Sequence, residues 1–141
     1  MSAIGDIVAA IEARMVVLTF KATDDVFNFD AVPNSIIDKA FRIENHLVRN
    51  TYQSDHLSNP VDAIEIYIAY KTYRTPRTVW KAVLADREAI EKDLINATSI
   101  RALTSDPLLT MDGEASVIKE LKDYLVLKLV INVDYLRSVA P

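Results

Sequence analysis

Only two of the 141 residues are glycine, Gly5 and Gly113. Glycine enters the left-handed backbone region without steric cost, and loops that wrap a phosphate depend on it. Nucleotide-binding loops are therefore excluded, and turns must be built from other residues. The chain has the apolar content for a core, since 50% of it is hydrophobic and 26% charged, whereas a disordered chain is poorer in apolar side chains. A single domain, residues 1–141, is expected, burying roughly 68–70% of the surface exposed by the unfolded chain. The cysteine count is 0, which removes thiol nucleophiles, cysteine-held zinc, iron–sulfur clusters and disulfides together. Sixteen Lys and Arg against 20 Asp and Glu leave a formal net charge of −4. A general attraction for nucleic acid is therefore missing, though a local basic patch stays open. The longest apolar runs, such as residues 15–18 and 125–127, are far short of the roughly 20 residues that span a bilayer. Asp6 and Glu12 stand where a secretory leader would carry its apolar run, so a chain kept where it is translated is expected.

Ser2 suits a helix cap, and Ile4, Ile7, Val8, Ile11 and Met15 follow at helical spacing, which predicts an amphipathic helix over residues 3–14. Residues 15–20 fit either a strand or the last turn of that helix. Residues 24–34 are polar, carry Phe27 and Phe29, and end in a Val32-Pro33-Asn34-Ser35 turn, so a loop is expected. From Ile37 the period changes to two: Phe41, Ile43 and Leu47 share one side, and Arg42, Glu44 and His46 the other. Residues 50–60 have little to bury and close on Asn59-Pro60, which predicts a mobile excursion. Ile64, Ile66, Ile68 and Tyr70 then alternate with Glu65, Tyr67, Ala69 and Lys71, a strand antiparallel to the one before. Thr75-Pro76 opens a second helix, which Val79, Trp80, Val83, Leu84, Ile90, Leu94 and Ile95 carry to about residue 96. Residues 98–104 read as a short strand, Met111-Asp112-Gly113 as a turn, and residues 114–123 as helix or strand. In the closing strand Leu125, Leu127, Leu129, Ile131 and Val133 oppose Tyr124, Val126, Lys128, Val130 and Asn132. The expected fold is α+β, a mostly antiparallel or mixed sheet of about four strands with two main helices packed on one face.

Residues with chemistry are scattered. His46 and His56 are the only histidines; with Asp55 or Glu44 they could share a metal, but no known ligand spacing is present, so solvated histidines and no metal are expected. The acidic pairs Asp24/Asp25, Glu88/Glu91 and Asp62/Glu65 would serve a hydrolase only if two were held in a cleft with one pKa raised by burial. Solvated faces are the expectation, as for Asp86, Arg87, Glu88, Glu91, Lys92 and Asp93 on the outer side of the second helix. No nucleophile elbow occurs, and no catalytic residue, cofactor or enzymatic activity is expected. Tyr67, Tyr70, Lys71, Tyr73, Arg74, Arg77 and Trp80 have the composition to stack on single-stranded nucleic acid. Strand parity divides them, with Tyr67, Lys71 and Tyr73 facing away from the isoleucines, Tyr70 inward and Trp80 on the helix. Core and protein-contact roles are favoured.

If the helices cover the isoleucine face, the opposite face still presents Tyr67, Tyr73, Val126 and Val130, too much apolar area to leave in water. Two covers are open. A second copy would make Tyr67, Tyr73, Lys71, Tyr124, Val126 and Val130 a subunit interface, and Tyr67→Asp or Val130→Asp would then loosen self-association without unfolding the chain. Otherwise residues 21–34 and 104–123 fold over that face.

Four stretches stand in a suggestive order: Phe29 through Pro33-Asn34-Ser35-Ile36-Ile37-Asp38-Lys39-Ala40-Phe41-Arg42-Ile43-Glu44, then Ile64-Glu65-Ile66-Tyr67-Ile68-Ala69-Tyr70-Lys71, then Ala85-Asp86-Arg87-Glu88-Ala89-Ile90-Glu91, then Tyr124-Leu125-Val126-Leu127-Lys128-Leu129. Across most of the chain this order resembles bacteriophage tail terminator proteins, also called tail completion proteins. The resemblance implies a structural virion component of the head–tail junction, assembled in the bacterial cytoplasm. Such a component forms a homo-oligomeric ring, typically a hexamer, that meets the tail tube protein on one surface and a head-side connector protein on the other. No membrane, no specific nucleic-acid binding and no cofactor are expected. Contact loops differ among such proteins, so Tyr52, Asp55, His56 and Leu57 of the 50–60 segment are the candidate partner contact. The alternatives are a head-side connector or neck subunit of similar architecture, and a small hydrolase using carboxylates.

Overall fold

The computed structural model describes residues 3–25, 27, 32, 33, 36–72 and 76–139. Among them the alternating isoleucines and the closing leucines become neighbours. Strand β3 (Leu57–Lys71) pairs antiparallel with β6 (Tyr124–Asp134), setting Ile66 opposite Leu129 and Ile64 opposite Ile131. On its other side β3 pairs antiparallel with β2 (Ala40–Ser54), where Phe41 meets Ile68. Residues directly opposite share a face, so these rows make one continuous apolar surface. Helices α1 (Ala3–Val17) and α2 (Pro76–Asn96) cover it with Ile7, Ile11 and Met15, and with Val83, Ile90 and Leu94. Each such side chain contributes roughly 1.5–3 kcal/mol by leaving water. Polar ties fix the layers: Arg14 of α1 donates to both carboxylate oxygens of Asp93 in α2 at 2.9 and 2.6 Å. Tyr70 of β3 donates to Asp86 of α2 at 2.9 Å.

The fold is α+β with a mixed sheet, seven-stranded among the described residues rather than about four-stranded. β1 (Lys21–Ala22) runs parallel to the start of β2, at Ala40 and Phe41. The 98–104 stretch is not a strand: α3 (Thr98–Arg101) occupies it, with the Ala102 N–H donating to the Thr98 carbonyl at 2.8 Å and Ile100 fully buried. β4 (Leu108–Met111) and β5 (Val117–Glu120) both pair antiparallel with β6, which settles residues 114–123 as a strand with flanking turns. The turn between them is held by Asp112, whose carboxylate accepts the Ala115 N–H at 3.1 Å and whose carbonyl accepts the Ser116 N–H at 3.1 Å.

The 50–60 segment is a correction too. It is the end of a long hairpin in which Asp55 and His56 form a two-residue turn and Ser54 meets Leu57. Pro60 sits inside β3, opposite Asn50, and its carbonyl accepts the Tyr135 N–H at 3.3 Å. Lacking its own N–H, Pro60 leaves a gap in the ladder on that side. β7 (Arg137–Ser138) resumes beyond the gap in unchanged register, Arg137 opposite Ser58.

Residues 15–20 close α1. Thr19 has φ 75°, with its N–H donating to Val16 at 3.0 Å and the Phe20 N–H to Met15 at 3.1 Å. This is the Schellman closure that a glycine usually supplies. The expected caps Ser2 and Thr75, and most of the predicted 24–34 loop, lie outside the described residues.

Candidate interaction surface

The second face of the sheet is covered by the chain itself. Phe27, Ile36, Val32 and Leu121 pack against Tyr67, Ala69, Tyr124 and Val126 in a separate apolar cluster. The Tyr124 hydroxyl donates to the Ile36 carbonyl at 2.9 Å, and the Lys71 N–H to the Asp38 carboxylate at 2.9 Å. Farther along, the β4–β5 turn seals Val130: its N–H donates to the Ser116 hydroxyl at 3.0 Å and its carbonyl accepts the Asp112 N–H at 2.8 Å. Tyr67, Tyr124, Val126 and Val130 are therefore buried within one copy, and Lys71 is half-buried. This corrects the expectation that they form an open subunit interface; Tyr73 lies outside the described residues. The cover comes from segments distant in sequence and close in space, the second of the two arrangements weighed above. Tyr67 lies between two cations, with Arg42 at 5.1 Å and Lys128 at 5.9 Å from its ring centre. Burial, with Glu65 beside it, holds its hydroxyl above the usual tyrosine range.

Among the described residues, the aromatic and basic side chains with the composition to stack on bases do not share a surface. Tyr67 belongs to one cluster, Tyr70 to the core under α2, and Trp80 points outward on the helix. The Tyr70 hydroxyl, shielded from water and facing Asp86, is held well above its ordinary pKa. Of the carboxylate pairs, Asp62 and Glu65 are divided: Asp62 is buried beneath the Tyr135 hydroxyl, whereas Glu65 faces the opposite side and meets Lys128 at 3.4 Å. Burial first and Asp62 second push Tyr135 up to about 12. Glu88 and Glu91 line an open cleft of about 390 Å³ with Arg87, Met111, Gly113 and Ser116. His46 lies exposed on β2 opposite Ala63 and His56 in the hairpin turn. Among the described residues no group of three His, Cys, Asp or Glu could hold a metal ion.

The surface left open is the far half of the β2–β3 hairpin. β1 pairs with β2 only at Ala40 and Phe41, and no described strand flanks β2 beyond that point. From Glu44 to Ser54 its side chains are exposed on both faces, with Asn50 alone half-buried. Leu47 is 53% exposed, Val48 54% and Tyr52 67%. Of the candidate contact residues, Tyr52, Asp55 and His56 are exposed at the hairpin end, and Leu57 is half-buried. The sequence reading missed four residues beside them: Asn50 Oδ1, Ser58 Oγ, Asn59 Oδ1 and Arg137 Nε are buried without a hydrogen-bond partner among the described residues. Asn, Ser and Pro in 50–60 gave a turn signal, and no local pattern announces that Arg137 returns beside them. Compared with known proteins, the chain matches no protein-family model and no curated protein sequence.

Proposed function

We propose that this chain is a structural assembly subunit that caps a phage tail tube as a ring, ending tube growth and presenting a surface for head joining. The observation that carries the reading is the hairpin: a sheet sealed on both faces by its own chain still extends an apolar-studded outer strand into water. Side chains such as Leu47, Val48 and Tyr52 lower their free energy by leaving water at a contact, and a protein contact needs no reactive group. The element order supports the same reading, since the resemblance to tail terminators lies in that order. In this reading the partners are further copies in a hexameric ring, the tail tube protein and a head-side connector protein, and the place of action is the head–tail junction of the virion, after assembly in the bacterial cytoplasm.

The test is to add the purified chain to polymerising tail tube subunits and to view the products by electron microscopy. Shortened tubes with a ring at one end are expected. Tubes of unchanged length with bare ends would overturn the capping role, and binding to filled heads in place of tails would make the chain a neck connector.

A further inference from the structure

We infer that the Asp112–Gly113 step, between β4 and β5, is a site of spontaneous covalent modification at which the chain isomerises to isoaspartate through a cyclic succinimide. The reaction needs an aspartate carboxyl held near the following backbone amide, and an amide that is neither crowded nor engaged. Gly113 supplies one.

The first condition is room. Of the two glycines in the chain, Gly113 is the one that follows an aspartate. It has no Cβ to crowd the succinimide ring. It is exposed, and a Cβ built on it would meet no atom within 4 Å. Its φ lies outside the left-handed region, so neither backbone angle nor packing demands a glycine here.

The second condition is a free nucleophile. Among the described residues the Gly113 N–H donates to no acceptor. The Asp112 carboxylate is engaged at Oδ1 alone, by the Ala115 N–H at 3.1 Å, a bond that holds the carboxyl over the chain that follows it. At other aspartates the attacking amide is occupied or missing. After Asp24 the Asp25 N–H donates to Thr23 Oγ1 at 3.1 Å, and after Asp55 the His56 N–H donates to Ser54 Oγ at 3.3 Å. After Asp38 the Lys39 N–H donates to the Ala69 carbonyl at 2.8 Å, and after Asp134 the Tyr135 N–H donates to the Pro60 carbonyl at 3.3 Å. Pro107, after Asp106, has no N–H.

In the first step the protonated Asp112 carboxyl condenses with the Gly113 amide. The bond from Gly113 N to Asp112 Cγ forms, the Cγ–Oδ2 bond breaks, and that oxygen leaves as water with the carboxyl and amide hydrogens. Water then opens the ring. Attack at Cγ restores aspartate, whereas attack at the Asp112 backbone carbonyl carbon breaks its bond to Gly113 N and leaves the chain running through Cβ and Cγ. The Asp112 carbonyl, which accepts the Ser116 N–H at 3.1 Å and the Ser116 hydroxyl at 2.7 Å, then becomes a carboxylate off the chain path. Ser116 Oγ in turn accepts the Val130 N–H at 3.0 Å. Isomerisation therefore loosens the turn that seals Val130.

The test ages the purified full chain at neutral pH and physiological temperature, and reads isoaspartate by peptide mapping and by isoaspartyl methyltransferase labelling. Label is expected at 112–113 in excess of 24–25 and 55–56, preceded by a species lighter by one water. Gly113→Val, whose branched Cβ crowds the ring, should slow the label about tenfold or more and melt as the unchanged chain does. In the labelled fraction the Val130 amide should lose protection from hydrogen exchange while residues 64–70 keep theirs. Absence of label at 112–113, label spread evenly over the three steps, or a folded Gly113→Val chain that isomerises as fast overturns the site. Should the valine variant unfold, the comparison of the three steps in the unchanged chain decides alone. A labelled chain whose Val130 amide stays protected overturns the loosening of the turn.

Discussion

Thr19 shows at the scale of one residue what a shortage of glycine entails. The end of α1 needs a left-handed residue, and a β-branched side chain occupies it at φ 75°. Lys39 at φ 61° and Asp106 at φ 42° meet the same need elsewhere. The Thr19 side chain is exposed, so Thr19→Gly removes strain at little cost in burial. It should raise stability by about 1 kcal/mol, read as a shift of the urea midpoint with unchanged slope. A lower midpoint would show that the threonine holds the chain's entry into Phe20 in a way its backbone angles do not reveal.

At the scale of elements, the far face of β3 and β6 behaves as core. Val130→Asp would place a carboxylate under the β4–β5 turn, where the valine is 5% exposed. It should unfold the chain or cost about 3 kcal/mol or more, seen as a collapsed thermal transition; a variant that melts normally and merely dissociates would restore the face as an interface. What the residue pattern reveals about an element depends on how many of its faces meet water. α1, α2, β3 and β6 are legible because each buries a stripe or alternating rows, such as Ile64, Ile66 and Ile68. β2 is legible as far as Leu47 and not beyond, because both its faces are wet there and no alternation survives. Residues 98–104 mislead because Ile100 alone is buried there, and one residue carries no period. The cover over Tyr67 and Tyr124 was open in the sequence for another reason: Ile36 lies 88 residues from the tyrosine that binds its carbonyl, and local periodicity holds no record of such distances. The hairpin end exposes Tyr52, Asp55 and His56 to water, yet its buried unpaired atoms depend on strand register, which no single residue announces.

For the whole molecule, a sheet closed over on both faces and a hairpin left open divide the chain into a part that sustains the fold and a part available for assembly. The two should respond differently to concentration. Amide hydrogen exchange on the full chain, at dilute and at high concentration, measures that difference directly. The expected result is that residues 64–70 and 125–133 exchange slowest at both concentrations, while the Asn45 and Leu47 amides exchange quickly when dilute and become protected when concentrated. Amides at Asn45 and Leu47 that exchange equally fast in a sample shown to be multimeric, or sheet amides at 125–133 that gain protection only on assembly, would contradict it.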